Sequence, residues 1–197
     1  YFLTPKIFEI IDKLKPSWRN ELEITDALQL LLEKNNNISY EMITDYWKDT
    51  GTPEDIINAN TQILKNISEN VLKKEDSTVI DSGSSIIMPS IVGKNCHIGK
   101  GVRIGPNTSI GNNTIISSNV SIKNSIIMSD CRIEGGLKIN NSIISANCHL
   151  EGNNSDDSEK LFLLGEGTRI SLWEYRFIRN IKYVIIFSKN NNYEIYE

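Results

Sequence analysis

Two hydrophobic periods divide the chain. Up to about residue 72, apolar positions recur three and four residues apart, the spacing of one helical face. Ile7, Phe8, Ile11 and Leu14 form the first set, opened by Thr4-Pro5 and ended by Lys15-Pro16. Leu28, Leu31 and Leu32 form a second, with Thr25 as the expected N-cap and an end at Lys34 and the Asn run that follows. Ile38, Tyr40 and Met42 alternate with polar residues and predict a strand. A third helix is expected from Thr52. Pro53 suits its first position, Asp55 completes a Thr-x-x-Asp capping pattern, and Ile56, Ile57, Ala59, Ile63 and Leu64 follow at helical spacing.

From about residue 73 to 172 the period becomes six. Ile80, Ile86, Val92, Ile98, Ile104, Ile110, Ile116 and Ile122 stand in strict register. The phase slips by one to give Ile127, Ile133 and Ile139, and again to give Ile144 and Leu150. A sustained six-residue repeat predicts a β-helix in which three hexapeptides close one triangular coil. Each aliphatic then points inward and stacks on the residue about eighteen positions later, as Ile80, Ile98 and Ile116 would. Asn and Gly belong at the corners, where φ turns positive. A second inward slot lies two places before the aliphatics. Val102, Thr108, Thr114 and Val120 occupy it, and so do Cys96, Cys131 and Cys148. All three cysteines are therefore expected to be buried and structural.

Residues 173–197 break the repeat. They are rich in aromatics, and Tyr183 to Phe187 predicts one more strand; no function is assigned to this tail. The net charge of −4 and the absence of a basic patch argue against nucleic acid. No apolar run is long enough to span a bilayer. An odd cysteine count without metal-type spacing fits a reducing, cytoplasmic setting. The first residue is Tyr rather than Met, so the chain is expected to start inside a longer reading frame or after a cleavage.

Two places carry candidate chemistry. Asp49 lies between the expected strand and a Thr-Gly-Thr-Pro turn. Gly51 would let the backbone bend, and the helix start offers unpaired N–H groups. This arrangement suits either a capped turn with a solvated carboxylate or a grip on an anion or hard cation. Arg19, Glu21 and Glu23 form a second cluster, either a mixed surface or, through Arg19, a bidentate phosphate contact. His97 and His149 flank inward aliphatics, point outward, and have no obvious acid partner in the sequence.

E-L-E-I-T-D-A-L-Q-L-L (Glu21 to Leu31), followed by W-K-D-T-G-T-P-E-D-I (Trp47 to Ile56), resembles the sugar-1-phosphate nucleotidylyltransferases. Within that family the chain is most similar to long-form glucose-1-phosphate thymidylyltransferases, which end in a left-handed β-helix. The likeness runs from residue 1 to about 172. It implies an α/β remnant of a Rossmann-like nucleotidyltransferase domain over 1–72, the sugar-phosphate-binding part, then a left-handed parallel β-helix over 73–172. It also implies an enzyme that joins a nucleoside triphosphate to a sugar 1-phosphate and releases pyrophosphate, with dTDP-glucose or UDP-glucose as the expected product. Mg²⁺ would bridge the substrates on two carboxylates, one of them Asp49. Arg19 takes the place of the family's phosphate-contacting Arg, Glu21 helps order the site, and Gly51 lies in the turn beside it. Asn20 stands where the family has Gly, a departure expected to shift the turn. The Gly-rich triphosphate loop, the catalytic Lys and the other carboxylate are absent, so this chain alone is expected to be inactive. The complete protein is expected to be a homo-oligomer. Two other readings remain at this point: a non-catalytic scaffold acting through the β-helix, and a β-helix acyltransferase.

Overall fold

The computed structural model describes residues 1–34, 37–67, 77–152 and 158–172, with the backbone alone of 73–74 and 183–186. The chain divides into two compact units, Tyr1–Trp47 and Lys48–Glu197.

The first unit holds helices α1 (Lys6–Ile11) and α2 (Ile24–Glu33). Ile7, Ile10, Ala27 and Leu31 form its small core, flanked by Ile11, Leu14, Ile24, Leu28 and Leu30. The N-cap expected at Thr25 falls two residues earlier, at Glu23. Glu23 sits at the N-cap without capping through its side chain, because Ser17 and Arg19 both donate to its carboxylate. The strand expected over Ile38–Met42 is irregular chain with exposed side chains. A strand exists only through ladder hydrogen bonds to a neighbour, and residues 37–47 pair with none of the described strands. Phe2, Trp18, Tyr40 and Met42 are all largely exposed.

The second unit opens with helix α3 (Pro53–Ile67) and continues into the β-helix, as the repeat predicts. Short parallel strands build three faces. On one face Ile80, Ile98, Ile116, Ile133, Leu150 and Ile170 stack in register. On the next, Ile86, Ile104, Ile122 and Ile139 do so. The third stacks Val92, Ile110, Ile127, Ile144 and Leu164. The three ladders form one continuous core. β-Branched Ile suits this role because it packs well on a pleated surface.

The phase slips have a physical origin at one corner. Between the second and third faces the turn takes six residues from Ile104 to Ile110, but five from Ile122 to Ile127 and from Ile139 to Ile144. In the last coil the corner is gone. A single strand, Glu159–Leu164, pairs with the second face at its start and the third at its end. Phe162 fills the space where the corner would be and is fully buried. Tyr183–Ile186, the strand expected in the tail, pairs parallel with this straightened strand.

Corner backbones are left-handed at Asn95, Asn107, Asn113, Asn119, Asn124, Asp130, Asn141 and Asn147. Asn accepts this conformation at lower cost than most residues. Gly99 stands at a corner for a different reason. Its φ is ordinary, but a Cβ there would lie 2.9 Å from the amide nitrogen of Ser118 in the next coil. At Gly105 both reasons apply: φ is +100° and a Cβ would strike the Ile87 carbonyl.

Candidate functional site

The first candidate group lies in the first unit. The Ser17 hydroxyl accepts the Arg19 N–H at 3.2 Å, and the Ser17 N–H donates to the Glu21 carbonyl at 2.8 Å. This pins a tight turn around Asn20, whose φ is 61°. Asn therefore adopts the left-handed conformation for which Gly is usual, and the expected shift of the turn does not arise from this residue's φ. Arg19 is not a bare cation. Its Nη2 and Nε donate to Glu23 Oε1 at 2.7 and 3.2 Å, while Glu21 stands 3.8 Å away. The Arg19 hydrogen bond, with that from Ser17, holds the Glu23 carboxyl below its ordinary range. The Arg19 side chain is still half exposed, so one edge of its guanidinium faces solvent.

The second group opens the second unit. The Thr52 hydroxyl accepts the Asp55 N–H at 3.2 Å and pairs with the Asp55 carboxylate at 2.8 Å, which caps α3 as the sequence predicts. Lys48 Nζ lies 2.9 Å from Asp55 Oδ1. Hydrogen bonds from Lys48 and then Thr52 lower the Asp55 pKa. Asp49 thus follows a lysine strapped to the helix start, is exposed, and has no ion pair or hydrogen bond among the described residues. Two expectations change here. Asp49 does not stand at a strand end, since the preceding segment is irregular. Gly51 is not needed for a special bend: its φ is not left-handed and nothing lies within 4 Å of a Cβ placed there.

Arg19 and Glu21 fall in one compact unit, Asp49 and Gly51 in the other. Among the described residues no three His, Cys, Asp or Glu side chains are grouped to hold a metal ion. Asp49 offers one hard oxygen ligand of the kind Mg²⁺ takes.

The histidines correct another expectation, because each meets a carboxylate across the coils. His97 Nε2 lies 3.3 Å from Asp81 Oδ2, and His149 Nε2 lies 3.4 Å from Glu134 Oε2. Arg132 holds the other oxygen of Glu134 at 2.6 Å and, ahead of His149, lowers its pKa. The partners lie fifteen or sixteen residues away, nearly one coil. That spacing is visible in the sequence only once the coil length is known.

Residues 1–66 match the nucleotidyl transferase family model, and residues 86–172 match the model of the GMPPB C-terminal domain. Among curated proteins, the low-salt glycan biosynthesis nucleotidyltransferase Agl11 of Haloferax volcanii is 46% identical over 81 residues, 40% of this chain and 23% of that protein. The bifunctional protein GlmU of Methanococcus aeolicus is 44% identical over 87 residues, 44% of this chain and 21% of that protein. The glucose-1-phosphate thymidylyltransferase of Streptomyces antibioticus is 34% identical over 98 residues, 50% of this chain and 26% of that protein. The chain therefore spans about a quarter or less of the length of these relatives. A segment similar to the nucleotidyl transferases thus leads into a parallel β-helix, and over these two parts the chain resembles the sugar-1-phosphate nucleotidylyltransferases.

Proposed function

We propose that the chain is the sugar-phosphate-binding part and β-helix of a cytoplasmic enzyme that forms an NDP-sugar and pyrophosphate from a nucleoside triphosphate and a sugar 1-phosphate. Glucose 1-phosphate with dTTP or UTP is the favoured pair, by likeness to the thymidylyltransferase relatives. The observation that carries the reading is the unpaired Asp49 carboxylate beside the capped start of α3, inside the segment matching the nucleotidyl transferase model.

In this reading Asp49 is one of two carboxylate ligands of Mg²⁺, which when bound neutralises charge on the phosphates in the transition state. The chain's own residues bind and orient. Arg19 presents its solvent-facing edge to phosphate while Glu23 and Glu21 fix its plane. The Thr52–Asp55 cap and the Lys48–Asp55 pair hold Asp49 in place, and Gly51 keeps the turn beside it open to the sugar phosphate. In-line attack needs no covalent enzyme intermediate, so positioning is the main contribution.

The 197-residue chain with Mg²⁺, dTTP or UTP, and glucose 1-phosphate is expected to release no pyrophosphate. In a protein that also carries the triphosphate-binding half, Asp49→Asn is expected to lower kcat by at least ~100-fold, as loss of an electrostatic contact to the transition state does. Full activity in that variant overturns the metal role.

A second reading, acyl transfer on the β-helix, draws on the His149–Glu134 contact. Acetyl-CoA turnover with an amino-sugar phosphate separates the two.

A further inference from the structure

Helix α3 and the β-helix belong to one compact unit. The less exposed side of α3 carries Ile57, Asn60, Thr61 and Leu64, with Leu64 fully buried. That is the i, i+3, i+4, i+7 stripe of a helix lying on a surface. Among the described elements, α3 meets the strand Thr108–Ile110 on the third face. In register on that face, the outward column reads Ile91, Ser109, Ile126, Ile143, Leu163. Four members are apolar and one is polar. The polar one meets the one amide on the helix stripe: the Ser109 hydroxyl donates to Asn60 Oδ1 at 2.6 Å, and Asn60 Nδ2 reaches the Asn107 carbonyl at 3.5 Å. Thr61 instead turns its hydroxyl back onto the Ile57 carbonyl at 3.1 Å.

Apolar contact is not directional, so an apolar stripe on an apolar column tolerates sliding. A polar pair within such a contact, here half-buried, is satisfied by protein partners in one register, and out of that register it must turn to water; a single Asn at a coiled-coil seam favours one register in the same way. We propose that Asn60 and Ser109 form a latch that sets the axial position of α3 on the β-helix, and that Asn60 is thereby a positioning residue for Asp49. The link is short. Asp49 precedes Pro53 by four residues, and Lys48 beside it is tied to Asp55 in the first turn of α3. Displacement of α3 by one turn carries that segment ~5.4 Å along the helix axis. An error of 1 Å in a reacting geometry already costs on the order of 100-fold in rate. The consequence for Asp49 rests on the proposed function; the latch does not.

The test uses the 197-residue chain with nitroxide labels at Thr50→Cys and Lys100→Cys, both exposed sites, and electron–electron distance measurement. Cys96, Cys131 and Cys148 are buried and leave the labels to the introduced thiols. With the latch intact, one narrow distance is expected. In Asn60→Leu, and separately in Ser109→Ala, the distribution is expected to at least double in width or to gain a population displaced by about 5 Å. The unfolding midpoint of Asn60→Leu should be kept or raised, which a purely structural role would not give. A single distribution of unchanged width in both variants overturns the latch. If Asn60→Leu fails to fold, Ser109→Ala decides alone. No substrate is needed, so a negative result leaves the transferase reading standing, and the Asp49→Asn assay tests that reading separately.

Discussion

At the residue scale, the inward slot solves one problem repeatedly. A corner carbonyl turned toward the core needs a donor. Thr78 gives its hydroxyl to the Gly93 carbonyl at 2.6 Å, and Thr114 to the Met128 carbonyl at 3.3 Å. Cys96 gives its thiol to Gly111, Cys131 to Ser145 and Cys148 to Gly165, at 3.1, 3.1 and 3.2 Å. Thiol and hydroxyl are interchangeable there because both are small donors. The contact with Cys148, and then burial, push the Cys131 thiol up, so it stays protonated and able to donate. Cys131→Thr should therefore cost under about 1 kcal/mol, within the spread of tolerated volume-conserving changes. Cys131→Ala should cost about 1–3 kcal/mol through the orphaned carbonyl; denaturant midpoints of the two variants check this. Glu23 offers a titration test. Its folded pKa is depressed, so its contribution is present above the ordinary carboxyl value of 4.5 and is lost as pH falls through the lower folded value. Arg19→Ala should return the Glu23 carboxyl toward its ordinary range, as read by NMR of the side-chain carbonyl. The burial of the cysteines was legible from their place in the repeat. The Glu23 grip on Arg19 was visible as a nearby charge pair, but its geometry depends on the Asn20 turn, which the sequence suggested would be disturbed.

At the scale of elements, the aliphatic ladders carry the fold. Ile116 is fully buried between Ile98 and Ile133. Ile116→Ala should destabilise by about 2–5 kcal/mol, because neighbouring coils are too tightly registered to fill the cavity; thermal and denaturant unfolding give the number. These ladders were legible because a six-residue period in a long run leaves few alternative structures. The slips at Ile127 and Ile144 were visible, but not their cause, which is a corner that shortens from coil to coil. Helix α3 was also legible from its cap and spacing. The strand over Ile38–Met42 was not, because alternation describes how a strand would face and says nothing of whether a neighbour is there to pair with it.

At the scale of the molecule, the repeat begins near residue 73, where Lys73–Lys74 already pairs in register with Ile91–Val92, while the compact units divide between Trp47 and Lys48. The candidate metal ligand is thus carried on the same unit as the β-helix. No residue pattern announces this; it follows from the contact of α3 with the third face. The outer faces of the coils still present Val79, Ile87, Ile115 and Met128 with more than a third of their surface exposed. Apolar outer faces and coil ends need cover, and the complete protein is expected to sediment as a homo-oligomer. A monomer at micromolar concentration would count against it.

The slot donors have a mechanical consequence. Thr78, Cys96, Thr114, Cys131 and Cys148 each tie their own coil to the next, so under a pull along the axis the coils bear load in series, like links of a chain. Series elements part at the weakest link, and a linear array with nearest-neighbour contacts yields in steps. The first coil is the thinnest, with Ile80 and Ile86 only partly buried. The force trace should show a sawtooth that begins there and runs toward the straightened strand, where Phe162 replaces a corner and the final tooth should be the tallest.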